Sequence, residues 1–192
     1  MKEKREILYM AKNDNPHALR FLESMEKHGE VEAAEKFFAE HPLAKSADFN
    51  KKFAWANDMC EFLDNNYDEN LIRSIRMDCA CGPEHGKGAK IKALYEKEDD
   101  QEVFVQKVNK LNLGFIFEYD GTYYYLIYPQ CYCSCVKRIA EPMSKTWCYC
   151  TLGYSKRMFE NIFECEVQVE LLESVKLGSQ QCRIRVKKTA IQ

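Results

Sequence analysis

The sequence has no long apolar run and no strong net charge. No stretch approaches the roughly 20 consecutive apolar residues of a membrane span, and no run of signal-peptide length follows residues 1–7. The formal net charge is -2 over 192 residues, which provides no long-range attraction for a polyanion. We therefore expect neither a membrane nor a nucleic acid as partner, and we expect a cytoplasmic protein.

Internal repeats and low-complexity segments are also missing, whereas cysteine is abundant, with ten residues. A chain of this length can bury a hydrophobic core without disulfides. In a reducing cytoplasm the cysteines are not a disulfide framework, which leaves three alternatives: metal ligands, reactive thiols without metal, or small apolar filler.

The first half of the chain has the apolar spacing of helices. Asn15 followed by Pro16 predicts the start of one helix, and Asp48 is placed to cap another, whose apolar stripe begins at Phe49. Further helices are predicted over residues 30–41, 88–97 and 100–111, and one through Ile75 that ends at Cys79. Residues 1–112 should form a helical region, continuous with the rest in one domain.

The second half changes to alternating patterns. Aromatic and β-branched runs flank Asp120-Gly121, which is a strong hairpin signal, and a second hairpin is predicted from residues 165–173 and 181–187. Residues 152–163 have helical spacing. The expected fold class is α+β: a helical N-terminal half packed on an antiparallel sheet of two hairpins with an intervening helix, with residues 113–192 as the cysteine-rich part.

Seven cysteines fall in three tight groups of C-x-C spacing. In an extended segment residues i and i+2 project to the same face, so each group would present paired sulfurs that could chelate one ion. Four thiolates suit tetrahedral zinc, and thiolates also ligate iron-sulfur clusters. The predicted metal ligands are Cys131, Cys133, Cys148 and Cys150, then Cys79 and Cys81, and finally Cys135. Zinc or an iron-sulfur cluster is the expected cofactor.

A nucleophilic cysteine is the alternative use of the same residues. Cys148 and Cys150 precede the predicted helix over residues 152–163, where the positive end of the helix dipole would favour a thiolate. A nucleophile at Cys150 would need a proton carrier, for which His85 or Glu84 is the candidate. Cys60, Cys165 and Cys182 fall on apolar faces and are expected to be core residues. Three tyrosines are candidate ligand contacts: Tyr128, Tyr149 and Tyr154.

Ordered motifs in the C-terminal half carry a family resemblance. They are Tyr-Pro-x-Cys-Tyr-Cys at 128–133, Trp-Cys-Tyr-Cys-Thr-x-Gly-Tyr at 147–154, and a strand-turn-strand with Gly178 and Cys182. These residues resemble bacterial proteins related to the 4-vinyl-reductase-type small-molecule-binding domain and to L-2-amino-thiazoline-4-carboxylic acid hydrolase. The resemblance implies an α+β fold with cysteines that hold metal beside a ligand cavity.

Three functions follow as hypotheses. The first is a metal-thiolate protein that binds or senses a small molecule. The second is a hydrolase acting on a thiazoline or cyclic amide, and the third is a scaffold for protein partners. A homodimer would be compatible with the aromatic first hairpin if that hairpin were exposed.

Overall fold

The computed structural model describes residues 13–81 and 85–189. In the described part, six helices occupy the N-terminal half: α1 (Pro16–Lys27), α2 (Val31–Glu40), α3 (Phe49–Asn66), α4 (Glu69–Asp78), α5 (His85–Tyr95) and α6 (Gln101–Lys110). The C-terminal half contains β1 (Ile116–Tyr119), β2 (Tyr124–Tyr128), α7 (Lys145–Phe163), β3 (Val167–Glu173), a short 3-10 turn (Val175–Leu177) and β4 (Cys182–Lys188).

Local capping signals explain where several helices begin. The Asn15 side chain accepts a hydrogen bond from His17 N at 3.0 Å, with Pro16 in the first turn of α1. Asp48 accepts from Lys51 N at 2.8 Å to start α3, and the Asp100 carboxylate starts α6 in the same way. These predicted helix starts are confirmed.

The sheet is antiparallel throughout, with strand order β1-β2-β4-β3. Gly121, with φ of 92°, occupies the turn between β1 and β2, where the Asp120 carboxylate accepts from the backbone N–H groups of Thr122 and Tyr123. The register aligns Leu126 with Ile184, both of which are fully buried. Both predicted hairpins are present, and the α+β class is confirmed.

Helix α7 lies at the centre of the fold. It packs on β3 and β4 on one side and against α4, α5 and α3 on the other. Gly153 makes the approach to α4 possible, because a Cβ at this position would lie 2.0 Å from the carbonyl oxygen of Met77. The end of α4 and the first half of α7 are therefore in direct contact.

Helix side chains also reach the outer strands of the sheet. Arg73 Nη2 on α4 donates to Val169 O on β3 at 2.6 Å, and Lys156 Nζ on α7 donates to Val167 O at 3.4 Å. On β1, Asn109 from α6 both donates to Phe117 O and accepts from Phe117 N, each at 2.8 Å. No helix in the described part of the chain has the length and apolarity needed to cross a membrane.

Candidate functional site

Cys148 and Cys150 lie inside a helix, which contradicts the expectation that they precede one. Ser144 caps α7 through Thr146 N at 3.2 Å, so the helix begins at Lys145, seven residues before the predicted start. Successive residues of a helix are rotated by about 100°, which places the two sulfurs about 200° apart around the axis. They do not form a chelating pair.

The other two cysteine groups lie near the buried end of α4 and in an irregular segment. Cys79 is the C-cap of α4 and is buried, whereas Cys81 is exposed. Cys131 and Cys133 are half-buried and Cys135 is 1% exposed, and a turn begins at Cys133, whose carbonyl accepts from Lys137 N at 2.9 Å. The structure brings these groups toward Cys150 from different elements.

The predicted zinc ion or iron-sulfur cluster is wrong. Within residues 13–81 and 85–189, no group of three or more Cys, His, Asp or Glu side chains is placed to hold a metal ion. The physical reason is the helical conformation of α7, which separates Cys148 from Cys150, together with the separation of buried Cys79 from exposed Cys81. The cysteines are clustered, but their sulfurs do not converge as ligands.

At the centre of the cysteine cluster lies a cation, Arg76. It is 3% exposed, and it donates from Nε to Thr146 O at 3.2 Å and from Nη2 to Trp147 O at 3.0 Å. Its guanidinium also lies 4.9 Å from the centre of the Trp147 ring. None of the ion pairs formed within the described residues includes Arg76.

Cysteines provide the electrostatic environment of this arginine. Burial opposes the charged form of Arg76, but the nearby sulfurs of Cys79, Cys150, Cys60 and Cys133 favour it and hold the pKa of Arg76 above its ordinary value. Cys150 is the hub of the cluster, because it lies within electrostatic reach of six other cysteines: Cys60, Cys79, Cys131, Cys133, Cys135 and Cys148.

Most of these thiols are held in the protonated form. Burial raises the pKa of Cys60, Cys135 and Cys148 to about 12 in each case. Burial also raises the pKa of Cys79 and of Cys133. The Cys148 sulfur also lies within hydrogen-bond distance of Ser174 Oγ, at 3.2 Å. A reactive thiol should therefore be sought at the surface of the cluster.

Three arginines from three helices converge on the segment Cys79-Ala80-Cys81. Arg20 of α1 donates from Nε to Cys79 O at 3.0 Å and from Nη2 to the Cys81 sulfur at 3.4 Å. Arg157 of α7 donates to Ala80 O at 2.7 Å and to Cys81 O at 3.2 Å. Arg76 of α4 lies on the buried side. The exposed Cys81 sulfur thus sits beside a guanidinium donor.

His17 and Trp147 extend the cluster toward the surface. His17 is half-buried, with Nε2 3.0 Å from Ser134 Oγ and Nδ1 3.2 Å from Arg20 Nη2. Its ring centre lies 6.0 Å from that of Trp147. Burial and then the nearby cations Arg20, Arg76 and Lys52 lower the pKa of His17 to about 4, so the imidazole is neutral at neutral pH.

The sequence did not indicate these arginines. The burial of Arg76 could have been predicted from its spacing. It follows Ile72 by four residues and precedes Cys79 by three, which places it on the apolar stripe of α4. Arg20 and Arg157 gave no such signal, since each is a half-buried residue on the surface of its helix.

The predicted catalytic residues are only partly described. Cys150 lies in the second turn of α7. The helix dipole acts mainly on the first turn, so it favours a thiolate at Cys150 less than expected. Glu84 and the side chain of His85 lie outside the described residues. A hydrolase with these residues stays a prediction.

Two of the predicted ligand-binding tyrosines, Tyr128 and Tyr154, are neighbours, and a ligand-binding role for all three stays a prediction. Tyr149 donates to Glu69 at 2.8 Å on α4. Burial raises the pKa of Tyr128, and Tyr154 and Cys150 are near enough to contribute. An open groove of about 700 Å³ lies along β3 and β4 beside Arg73 and Lys156, and one of about 520 Å³ lies near Gly178. Neither groove is lined by a cysteine or by these tyrosines.

Comparison with known proteins gives little functional information. No curated protein matches the chain. A crystal structure of an H-NOX protein from S. oneidensis in the Fe(II) ligation state is similar at 12% identity, with 93% of this chain and 97% of that chain covered and a TM-score of 0.45. A crystal structure of an H-NOX protein from S. oneidensis in the Fe(II)NO ligation state is similar at 14% identity, with 92% of this chain and 99% of that chain covered and a TM-score of 0.44. Similarity at this level does not establish a shared function. The model of the Family of unknown function (DUF6144) matches residues 16–191, and the chain belongs to that family.

Proposed function

We propose that this chain is a small-molecule-sensing protein that acts through reduced thiols, and that the molecule sensed is a soft electrophile. The observation that carries the proposal is Arg76, a buried cation whose neighbours are cysteines and which forms no ion pair with a carboxylate of the described residues. All ten cysteines are free thiols. The proposal places the chain in a reducing compartment such as the cytoplasm.

The energetics favour a charge partner for Arg76. Burying an unpaired cation costs several kcal/mol, and two backbone carbonyls and the Trp147 ring offset that cost without neutralising the charge. Burial keeps Cys79 and Cys133 protonated, so the opposite charge would have to come from a thiolate at a more exposed cysteine of the cluster or from a bound anion. Thiolates are the reactive form of cysteine toward electrophiles, so the same arrangement that stabilises the arginine supports thiol chemistry.

Cys81 is the expected point of attack. It is exposed, whereas Cys79 and Cys135 are buried thiols with raised pKa values. The Arg20 donor beside its sulfur places positive charge where a thiolate would form. The other cluster cysteines are buried or half-buried, so Cys81 is the most accessible of them to a dissolved reagent.

Modification of the Cys81 sulfur would directly affect contacts between helices. Its segment is held by Arg20 from α1 and by Arg157 from α7, and it follows the end of α4. A group attached to the Cys81 sulfur would displace Arg20 Nη2 and loosen the contact with α1. The sensing event would therefore change the packing of α1 against α4.

Alkylation with neutral iodoacetamide, resolved by residue with mass spectrometry, tests the proposal. We expect Cys81 to react about tenfold faster than glutathione at the same pH, with Arg20→Gln returning the rate toward that of glutathione. Hydrogen exchange in α1 should increase after alkylation of the wild-type chain but not of Cys81→Ser. If Cys81 reacts no faster than glutathione and exchange in α1 is unchanged, the proposal is wrong.

The resemblance to small-molecule-binding domains is compatible with this function and itself stays a prediction. The proposal does not include a resident metal.

A further inference from the structure

Positive charge is in excess around the His17 ring, whose neighbour Arg20 also donates to the Cys81 sulfur. His17, Arg20, Lys52 and Arg76 come from α1, α3 and α4, and the effect of the three cations on His17 shows that they lie within electrostatic reach of one ring. Arg20, Lys52 and Arg76 are absent from the ion pairs formed among the described residues. The local field is therefore suited to an anion.

An unused hydrogen-bond donor lies in the same place. Trp147 is 2% exposed, and within the part of the chain that the structure describes its buried Nε1 has no hydrogen-bond acceptor. A buried donor without an acceptor costs about 1–3 kcal/mol. The Trp147 ring contacts both His17 and Arg76, so this donor belongs to the cluster of positive charge.

We propose that the site formed by Cys81, His17 and Arg20 at the surface, with Arg76 and Trp147 buried behind it, recognises a small electrophile that carries an anionic group. The inference rests on the proposed function and adds the charge of the ligand. The anionic group offsets the positive charge of Arg20 and Arg76, while the electrophilic atom meets the Cys81 sulfur. Ser134, which is exposed and hydrogen-bonded to His17, adds a hydroxyl donor at the rim.

Two reagents of nearly equal size separate charge from reactivity. With either iodoacetate or iodoacetamide, the Cys81 sulfur forms a bond to the CH₂ carbon and the C–I bond breaks. Iodide leaves with the bonding electrons, and the thiol proton passes to the buffer. The products differ only in the group that the sulfur then carries, a carboxylate or a neutral amide.

The decisive quantity is the iodoacetate-to-iodoacetamide rate ratio at Cys81, divided by the same ratio for glutathione. We expect a value of about ten, because the Arg20 guanidinium, whose Nη2 lies 3.4 Å from the Cys81 sulfur, attracts a carboxylate there by more than that factor requires. Arg20→Gln should lower the value to about one, and Arg20→Lys, which retains the charge, should preserve most of it. Lys27→Gln is the matched control, since it removes one positive charge from the same helix at its pair with Asp78.

The His17 pKa provides a second readout that does not depend on rates. A carboxymethyl group on Cys81 should raise the pKa of His17 from about 4, whereas the neutral carbamidomethyl group should raise it less. The groups that face this ring are Arg20 on its own helix, Lys52 from α3, Arg76 from α4, Ser134 and Trp147. NMR titration of the two adducts measures the difference.

The outcomes distinguish the two proposals. Slow reaction of Cys81 with both reagents would overturn the proposed function. Fast reaction with iodoacetamide, a normalised ratio of one and equal His17 pKa values in both adducts would overturn only the inference of an anionic ligand. A ratio of about ten that Arg20→Gln abolishes and Lys27→Gln leaves unchanged supports both.

Discussion

Replacing Gly153 with alanine should destabilise the protein by separating α4 from α7. The new Cβ would lie 2.0 Å from Met77 O, whereas ordinary contact begins at 3.4 Å, so the two backbones must move apart by about 1.4 Å. Overpacking typically costs about 1–3 kcal/mol, and the obstacle here is a backbone carbonyl that cannot rotate away. Alanine gains about 1 kcal/mol over glycine in helix propensity, which offsets only part of the cost.

We expect Gly153→Ala to lower the free energy of unfolding by about 2 kcal/mol, which corresponds to a fall in Tm of about 4–8 °C for a chain of this size. Urea unfolding followed by circular dichroism measures the free energy. Gly88→Ala is the control, because Gly88 also lies in a helix and its Cβ would meet Asn161 Nδ2 at 3.7 Å, an ordinary contact. That variant should be as stable as the wild type or more stable by about 1 kcal/mol. Equal stability of Gly153→Ala and the wild type would refute the reasoning.

Two further predictions concern the start of α1. Asn15→Ala removes the side-chain cap on His17 N and should lower the free energy of unfolding by about 1 kcal/mol, seen as a lower urea midpoint at unchanged slope; an unchanged midpoint would contradict the role of the cap. His17 has a pKa of 6.5 when unfolded and about 4 when folded, so the unfolded chain binds the proton more tightly, and stability should fall as the pH is lowered from 6.5 to 4. His17→Gln should remove on the order of 2 kcal/mol of this loss in the free energy of unfolding. Urea unfolding of both proteins at pH 7 and pH 4.5 measures the difference. An identical pH dependence in both proteins would show that His17 is not responsible.

Much of the fold was predictable because its signals are local. Asn15 with Pro16, and Asp48 at the start of α3, bond to backbone within three residues, and the Asp120-Gly121 turn is equally local. The first half of α7 was not predicted. Cysteine, tyrosine and tryptophan have middling helix propensity, and the burial of Trp147 and Cys148 determines the conformation there.

The candidate site was only partly predictable for a related reason. The clustering of cysteine in the sequence located the region, but C-x-C spacing was interpreted as extended chain when one pair lies on a helix. The contacts of Arg20 and Arg157 with the segment Cys79-Ala80-Cys81 join residues that are 59 to 77 positions apart. Only the packing of α1, α4 and α7 brings them together, and no local pattern encodes that packing.

The helix side chains that contact the outer strands have a consequence for self-association. The outer strands of an open sheet expose unpaired backbone groups that can recruit another strand and lead to aggregation. Arg73 and Lys156 occupy the carbonyls of Val169 and Val167, and the Asn109 amide occupies both backbone groups of Phe117, as a neighbouring strand would. Intermolecular strand addition is thereby blocked at these positions. A second copy of this chain would therefore have to displace these side chains before it could extend the sheet at these positions.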